Sequence, residues 1–190
     1  MKKLFVIALA ALATVTAAQA QTIGRVNFNE VVMLAPEMDS ARETISASQK
    51  EAEETYSAMV EEYQGKLNQY QQKQASWTAA IRESKERELM EIQNRIQEFQ
   101  QTISQELQQQ QAQLTAPIQE KATKAINDIA KSKGITVLFD VSQAIYFDES
   151  KVVDITPDVR RAMNIPASRT LESLQAELQA QAEAAQAAQQ

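Results

Sequence analysis

The residue types that most often carry out chemistry in proteins are scarce in this 190-residue chain, which contains no histidine and no cysteine. Their absence excludes Ser-His and Cys-His nucleophile pairs, the usual structural zinc sites and any disulfide. The three glycines, Gly24, Gly65 and Gly134, lie too far apart to form a glycine-rich phosphate loop. We therefore expect no ATP-driven enzyme, no metal and no cofactor.

Carboxylates are the remaining side chains that could take part in catalysis or bind a metal ion. They cluster at Glu51, Glu53, Glu54, Glu61 and Glu62. Such a cluster can hold a metal ion or form a solvated helix face, and the usual placement of charge on helices favours the solvated face. A hydrolase using a Ser-Lys pair or paired carboxylates would need a cleft, which the narrow helical hairpin inferred below does not offer. We expect that the protein is not an enzyme.

The first twenty residues have the pattern of a targeting segment. Two lysines precede an apolar run, and Ala18-Gln19-Ala20 fits the small-x-small cleavage pattern. We predict a signal peptide over residues 1–20, cleaved between Ala20 and Gln21; a membrane-anchored N-terminus is the alternative. Export to a compartment outside the cytoplasm follows from the first interpretation.

The net charge restricts the range of partners. The chain carries 19 basic and 25 acidic side chains, a formal charge of -6. Removal of residues 1–20 takes away two lysines and no acid, which leaves -8. An acidic chain is a poor ligand for nucleic acids and for anionic membrane surfaces.

A long apolar seam runs through residues 37–133. Its members recur at steps of three and four, which is typical of a helix with a narrow contact stripe. A bend rather than an end is expected at Pro117, because the seam continues beyond it. One straight helix of this length would extend about 145 Å. A hairpin with its tip near residues 74–84 lets the seam contact itself; a parallel oligomeric coiled coil is the alternative.

Short β-forming segments flank the seam. The predicted strands are residues 22–28, 135–139, 144–147 and 151–154. Thr156 is predicted to cap a short helix that begins with Pro157. Since a hairpin starts and ends at one place, residues 21–36 and 134–166 should form one small β body. The predicted fold class is α+β, predominantly α.

The small sheet carries apolar residues on both faces, and so few strands cannot cover both faces or protect their own edges. We predict that oligomerisation completes the body. The residues expected to contribute are Ile23, Val26, Phe28, Val137, Phe139, Ile145 and Phe147. The alternative is a monomer in which the helix bases cover one face.

The C-terminal segment, residues 167–190, is rich in alanine and glutamine. This composition is typical of a weak helix or of a disordered extension. We favour a weak helix without fixed packing.

Several of these segments together resemble the Skp/OmpH-like periplasmic chaperone family. The resemblance spans Ile23 to Met163, and it is carried by Ile23–Phe28, Val137–Asp140, Ala144–Tyr146 and Asp154–Val159. It implies a homotrimer in which each subunit contributes strands to a central body and sends out one helical hairpin. Unfolded outer-membrane proteins would be held between the hairpins without nucleotide. The acidic charge departs from the basic character common in that family and argues against contact with lipopolysaccharide or membrane.

The resemblance implies an ATP-independent holdase, which would bind clients through many weak apolar contacts. Candidate contacts are Met59, Tyr63, Tyr70, Trp77 and Phe99, although each can instead pack in the seam between the helices. Gly65 and Pro117 are candidate points of arm flexibility. The alternative function is an exported coiled-coil spacer or scaffold without client binding.

Overall fold

The computed structural model describes residues 21–187; the predicted signal peptide over residues 1–20 lies outside the described residues. In chain order the elements are β1 (Thr22–Val26), α1 (Phe28–Met33), α2 (Pro36–Lys73), α3 (Ala79–Ser132), β2 (Ile135–Asp140), β3 (Val153–Asp154), α4 (Thr156–Ala162) and α5 (Leu171–Ala187). The predicted fold class is confirmed, because two long helices are joined to one small sheet.

The two long helices, α2 and α3, form an antiparallel hairpin that we call the arm. Ion pairs join them along its length: Glu37 with Lys121, Glu62 with Arg95 and Glu88 with Lys66. The longer helix, α3, has 54 residues and extends about 80 Å. The chain reverses between Lys73 and Ala79, so a single uninterrupted helix is excluded.

The core of the chain lies at the base of the arm, where α1, α4 and the two ends of the arm meet. Its most completely buried side chains are Val31, Leu34, Ile155, Val159 and Met163, each 0% exposed. Ile118, Ala122 and Ile126 of α3 join this core at the four-residue spacing of one helix face. The base of the arm is therefore anchored, whereas the rest of the arm extends away from the core.

All three strands of the sheet are parallel, in the order β2-β1-β3. Gly24 of β1 pairs with Leu138 on one side and with Val153 on the other. The strand predicted at residues 144–147 is absent; that segment is irregular and belongs to the connection from β2 to β3. Because β3 pairs parallel to β1 at the far edge, the chain must cross the sheet there instead of turning back beside β2.

The start of α4 also differs from the prediction. Thr156 is the first helical residue, and its side chain does not cap the helix. Its hydroxyl instead accepts a hydrogen bond from the backbone N–H of Asn27 at 3.0 Å, while the backbone N–H of Thr156 donates to Asp154. Threonine is favoured as a helix cap, but Thr156 instead links α4 to the segment that follows β1.

The expectation that the C-terminal segment has no fixed packing is wrong for its first turns. Helix α5 spans Leu171–Ala187, and Leu174 is only 4% exposed. Arg169, just before the helix, binds Asp39 of α2. The composition of this segment is that of a weak helix, but two of its residues have partners at the base of the arm.

Gly24 lies in a crowded position and Gly65 in an open one, so the alanine substitution at Gly65 is a control for the one at Gly24. A Cβ at Gly24 would lie 2.7 Å from Cδ1 of Ile135 and 2.9 Å from Cδ1 of Leu138. We expect Gly24→Ala to lower the free energy of unfolding by about 1–3 kcal/mol, because the two side chains must shift against the core. Gly65→Ala, where nothing lies within 4 Å, should raise it by about 0.5–1 kcal/mol. Urea unfolding followed by circular dichroism measures both; equal effects would contradict the described register.

Candidate functional site

In the outer part of the arm, ion pairs and hydrogen bonds join the two helices more than a buried core does. Beyond the base, Ile92 is the one fully buried apolar side chain of the arm within the described residues. Most of the remaining seam residues are half-buried, since two helices alone cannot enclose the side chains between them. Between the ion pairs, the Gln110 amide donates to the hydroxyl of Ser48 at 2.9 Å. The arm therefore leaves much of its apolar seam within reach of solvent or of another chain.

The aromatic pair Tyr70 and Trp77 forms the tip of the seam. Their ring centroids are 5.9 Å apart in an edge-to-face arrangement. The Tyr70 hydroxyl donates to Glu86, and this hydrogen bond raises the pKa of Tyr70 above its usual value. Trp77 lies in the turn, where the Thr78 side chain accepts a hydrogen bond from the backbone of Ile81 and caps α3. Trp77 is half-buried, and its ring contacts that of Tyr70.

The other candidate contacts lie along the seam. Met59 and Tyr63 of α2 and Phe99 of α3 are half-buried. Phe99 lines a groove between the helices of about 350 Å³. Other residues that line the groove are Ala52, Thr55, Ile103, Leu107 and Gln110. These side chains take part in the seam and remain partly accessible.

Three apolar side chains on the arm are exposed; the sequence placed Tyr56 in the seam, whereas it singled out neither Ile81 nor Met90. Tyr56 is 36% exposed, Ile81 44% and Met90 55%. Ile81 lies two steps of four before the seam residue Leu89 and so keeps the spacing of the seam, whereas Met90 directly follows Leu89 and is out of step with it. An apolar residue out of step with the stripe was the signal that would have found Met90.

The carboxylate cluster of α2 is exposed, and its partners are cations of the arm. Lys50 lies 3.8 Å from Glu54, and Arg95 lies 2.6 Å from Glu62. Within residues 21–187, no group of acidic side chains is arranged to hold a metal ion. No helix of that same range combines the length and the apolar character needed to cross a bilayer.

Glu88, near the tip, belongs to the strongest ion-pair cluster of the arm. Lys66 and Lys85 donate to its carboxylate and lower the pKa of Glu88 from 4.5 to about 2. Its side chain is 33% exposed. Solvent therefore screens the interaction and limits what the cluster contributes to stability.

Replacing Glu88 should produce a pH-dependent loss of stability. Because the folded-state pKa is depressed, the stabilisation is complete above pH 4.5 and is lost as the pH falls towards 2. We expect Glu88→Gln to cost about 1 kcal/mol at pH 7 and almost nothing near pH 2. Urea unfolding at both pH values measures the change, with Glu91→Gln on the same helix as the control. An equal cost at both pH values would show that the ion pairs are not responsible.

The sheet has an open face on the side away from the core. In β1, Gly24 and Val26 are buried, so Ile23 and Arg25 point to the opposite face. Ile23 is 39% exposed and Val137 of β2 is 51% exposed. Phe139 and Phe147 pack edge-to-face at 5.2 Å beside them. This outer face is apolar, and nothing among the described residues covers Val137.

The connection between β2 and β3 extends the outer face. Ile145 and Tyr146 are 104% and 86% exposed. The Arg25 guanidinium lies 5.1 Å from the centre of the Phe147 ring and pairs with Glu149 at 3.0 Å. These contacts hold Phe147 against the sheet, while Ile145 and Tyr146 extend into solvent.

Two of the residues predicted for assembly lie elsewhere. Val26 is 4% exposed within the chain's own core, and Phe28 packs against that core. Val26 offers no surface to a second copy, because the alternation of β1 turns it inward, whereas Phe28, at the start of α1, is half-buried. The open surface consists of Ile23, Val137, Ile145 and Tyr146, with Phe139 and Phe147 partly covered.

A polar cavity of about 530 Å³ lies beside α4. Its charged side chains are matched to one another: Arg160 binds Glu30 at 2.5 Å, and Arg25 lies 3.1 Å from Asp154. Paired charges of this kind stabilise the junction of α1, α4 and the sheet. The cavity therefore gives no reason to assign a catalytic group.

Comparison with known proteins agrees with this architecture. No curated protein sequence matches the chain. A family model described as "Outer membrane protein (OmpH-like)" matches residues 22–163, a range that contains the sheet, the whole arm and α4. The resemblance inferred from the sequence is thereby confirmed, and the chain belongs to the OmpH-like family.

Proposed function

We propose that the protein is an ATP-independent periplasmic holdase that binds unfolded outer-membrane proteins between the arms of a homo-oligomer. Membership of the OmpH-like family supports the coarser statement, that of a periplasmic chaperone for outer-membrane proteins. The observation that carries the finer proposal is the half-buried aromatic and apolar seam of the arm. Met59, Tyr63, Tyr70, Trp77 and Phe99 are neither enclosed nor fully solvated.

A seam of this kind suits weak and reversible binding. Each half-buried side chain can add only part of its apolar surface to a contact, so each contact contributes little. Many such contacts on arms of about 55 Å, the length of the 38-residue α2, still retain a client through their effective concentration. Release then needs no nucleotide, because no single contact is strong.

The open outer face of the sheet supports self-association, and we propose a trimer. Small sheets with one apolar face exposed need a partner, and the sheet here also has two unpaired edges, at β2 and at β3. A second copy covers both features at once. Three copies would place three arms around a common space in which a client is shielded from aggregation.

The test dilutes a urea-unfolded outer-membrane β-barrel protein into the purified mature chain. We expect aggregation, followed by light scattering, to fall to near zero at a molar excess of trimer. Unchanged aggregation would reject the holdase and favour the alternative of a coiled-coil spacer. Trp77 is the one tryptophan of the chain, so a client without tryptophan allows its emission to report contact at the tip.

The exposed apolar side chains of the arm give the matching mutational prediction. Ile81→Gln with Met90→Gln removes apolar surface from solvent-facing positions and leaves the seam intact. We expect the chain concentration needed for half-suppression of aggregation to rise about 3–10-fold, equivalent to about 1 kcal/mol of lost contact. Gln93→Ala, at an exposed position of α3, is the control and should leave that concentration unchanged. Equal behaviour of the two variants would show that the client does not touch these positions.

A further inference from the structure

The segment that follows α4 leaves the body by a defined path. Asn164 has a positive φ of 57°, which turns the chain after the helix. The backbone N–H of Ile165 donates to the carbonyl of Arg160 at 2.8 Å, and Ile165 is 5% exposed. The start of the segment is thus part of the body, although the family match ends at residue 163.

Arg169 then joins this segment to the base of the arm. Its two terminal nitrogens donate to the two carboxylate oxygens of Asp39, each at 2.5 Å. Parallel bonds of this kind are among the strongest and most directional ion pairs. Asp39 also accepts from Arg42 at 2.8 Å, and Arg42 donates to the carbonyl of Met33 at the end of α1. One hydrogen-bonded chain therefore runs from α1 through α2 to the segment.

The opposite side of Arg169 is held by the body. Arg160 of α4 donates to the backbone carbonyls of Arg169 and Pro166 and pairs with Glu30 of α1. The guanidinium of Arg169 thus reaches α2 while its backbone is tied to α4. Both side chains are mostly shielded, with 19% of Arg169 and 15% of Arg160 exposed.

The first turn of α5 completes the attachment. The backbone N–H of Ser173 donates to the Thr170 hydroxyl at 3.1 Å, and that of Thr170 donates to the Ser173 hydroxyl at 3.0 Å. This reciprocal pair fixes the helix start in the manner of a capping box. It sets Leu174 into the core cluster, whereas residues 179–187 are all exposed. The hydrogen bonds, the ion pair and the burial of this attachment lie within residues 164–174, and beyond them Glu177, Leu178 and Gln181 line a groove with α2.

We propose that residues 164–174 are a strap that fixes the angle at which the arm leaves the body. The last buried residue of α2 is Ala41, so α2 has only a short buried base. The arm is held in the core mainly from the α3 side, by residues 118–126, so α2, which is about 55 Å long, is the side of the base that gains most from a second contact. The strap supplies that contact on α2 through Asp39, and it limits how far the arms of an assembly spread. Its effect on the size of a client rests on the proposed function, but the restraint on the arm does not.

The absence of cysteine allows a direct test by paired spin labels. Asn29→Cys on α1 and Ser104→Cys on α3 place one label on the body and one on the arm, both at exposed positions. Labelled chains are diluted into excess unlabelled chain, so that pulsed electron-electron double resonance reports the distance between the two labels of one chain. We expect the distance distribution to become at least twice as wide when Arg169→Gln or Asp39→Asn removes the ion pair from either side.

Two truncations complete the design. Ending the chain after Ile165 removes the strap and should widen the distribution as Arg169→Gln does. Ending it after Ala180 removes residues that are exposed wherever the structure describes them, 181–187, and should leave the width unchanged. Unchanged widths in Arg169→Gln and in Asp39→Asn, with helix content preserved by circular dichroism, would overturn the proposal. Because no client is present, this outcome is independent of the aggregation test.

Discussion

Ile155→Ala is expected to lower the free energy of unfolding by about 2–5 kcal/mol, the usual cost of removing a large aliphatic side chain from a core. Ile155 is 0% exposed and lies between β3 and α4. Its backbone N–H also donates to the carbonyl of Arg25 at 3.0 Å, so the residue joins the sheet to the helices. The cavity left by the substitution cannot close easily, because Val159 of α4 and Met163 at the end of that helix, both in the same core cluster, are held by the helix backbone.

The measurement is urea unfolding at a fixed chain concentration, since assembly would contribute to the apparent stability. Ile81→Ala, the same substitution at a position 44% exposed on the arm, is the matched control and should change the stability by no more than about 0.5 kcal/mol. A loss below about 1 kcal/mol for Ile155→Ala would mean that the core is not centred where the structure places it.

The hairpin was the part of the fold most open to prediction. Apolar residues spaced by three and four over nearly a hundred residues describe a stripe, and a stripe needs a partner. The position of the hairpin tip was harder to predict, since no glycine or proline marks the turn. Thr78 is a local signal there, because its side chain caps α3 and so ends the turn that contains the half-buried Trp77.

The strand predicted at residues 144–147 shows where local propensity fails. Ile145, Tyr146 and Phe147 are good strand formers, yet a strand forms only where the chain runs alongside another strand. In the observed order, β1 is already flanked by β2 and β3. Residues 144–147 therefore connect one edge of the sheet to the other, with turns fixed by Asp140 and Asp148 at either end.

The candidate contacts of the arm illustrate a different limit. Sequence spacing offered two options for Tyr63 or Phe99, burial in the seam or exposure to a client. The structure leaves them between these options, because a two-helix arm covers only part of each side chain. The packing of Arg169 and Leu174 could not be predicted for another reason. The partner of Arg169 is Asp39, which lies 130 residues away, and composition carries no information about such a pair.

Val137→Glu tests whether the outer face of the sheet joins copies of the chain. The side chain is 51% exposed, so a glutamate there is solvated in a single copy and the fold should be kept. In an assembly that covers this face, an unpaired carboxylate would be buried at a cost of several kcal/mol. We expect the dissociation constant of the assembly to rise at least about 100-fold, which would leave single copies at micromolar concentration.

The native mass, measured by analytical ultracentrifugation, decides this prediction. Ala180→Glu places the same charge on an exposed residue of α5, outside the sheet. That control should keep the mass of the unchanged chain, expected to be three copies. If Val137→Glu also keeps this mass, the copies meet elsewhere, and an arrangement in which three arms surround a client would need a different origin. If it yields folded single copies that no longer suppress aggregation, the holdase activity depends on the shared space between arms and not on a single arm.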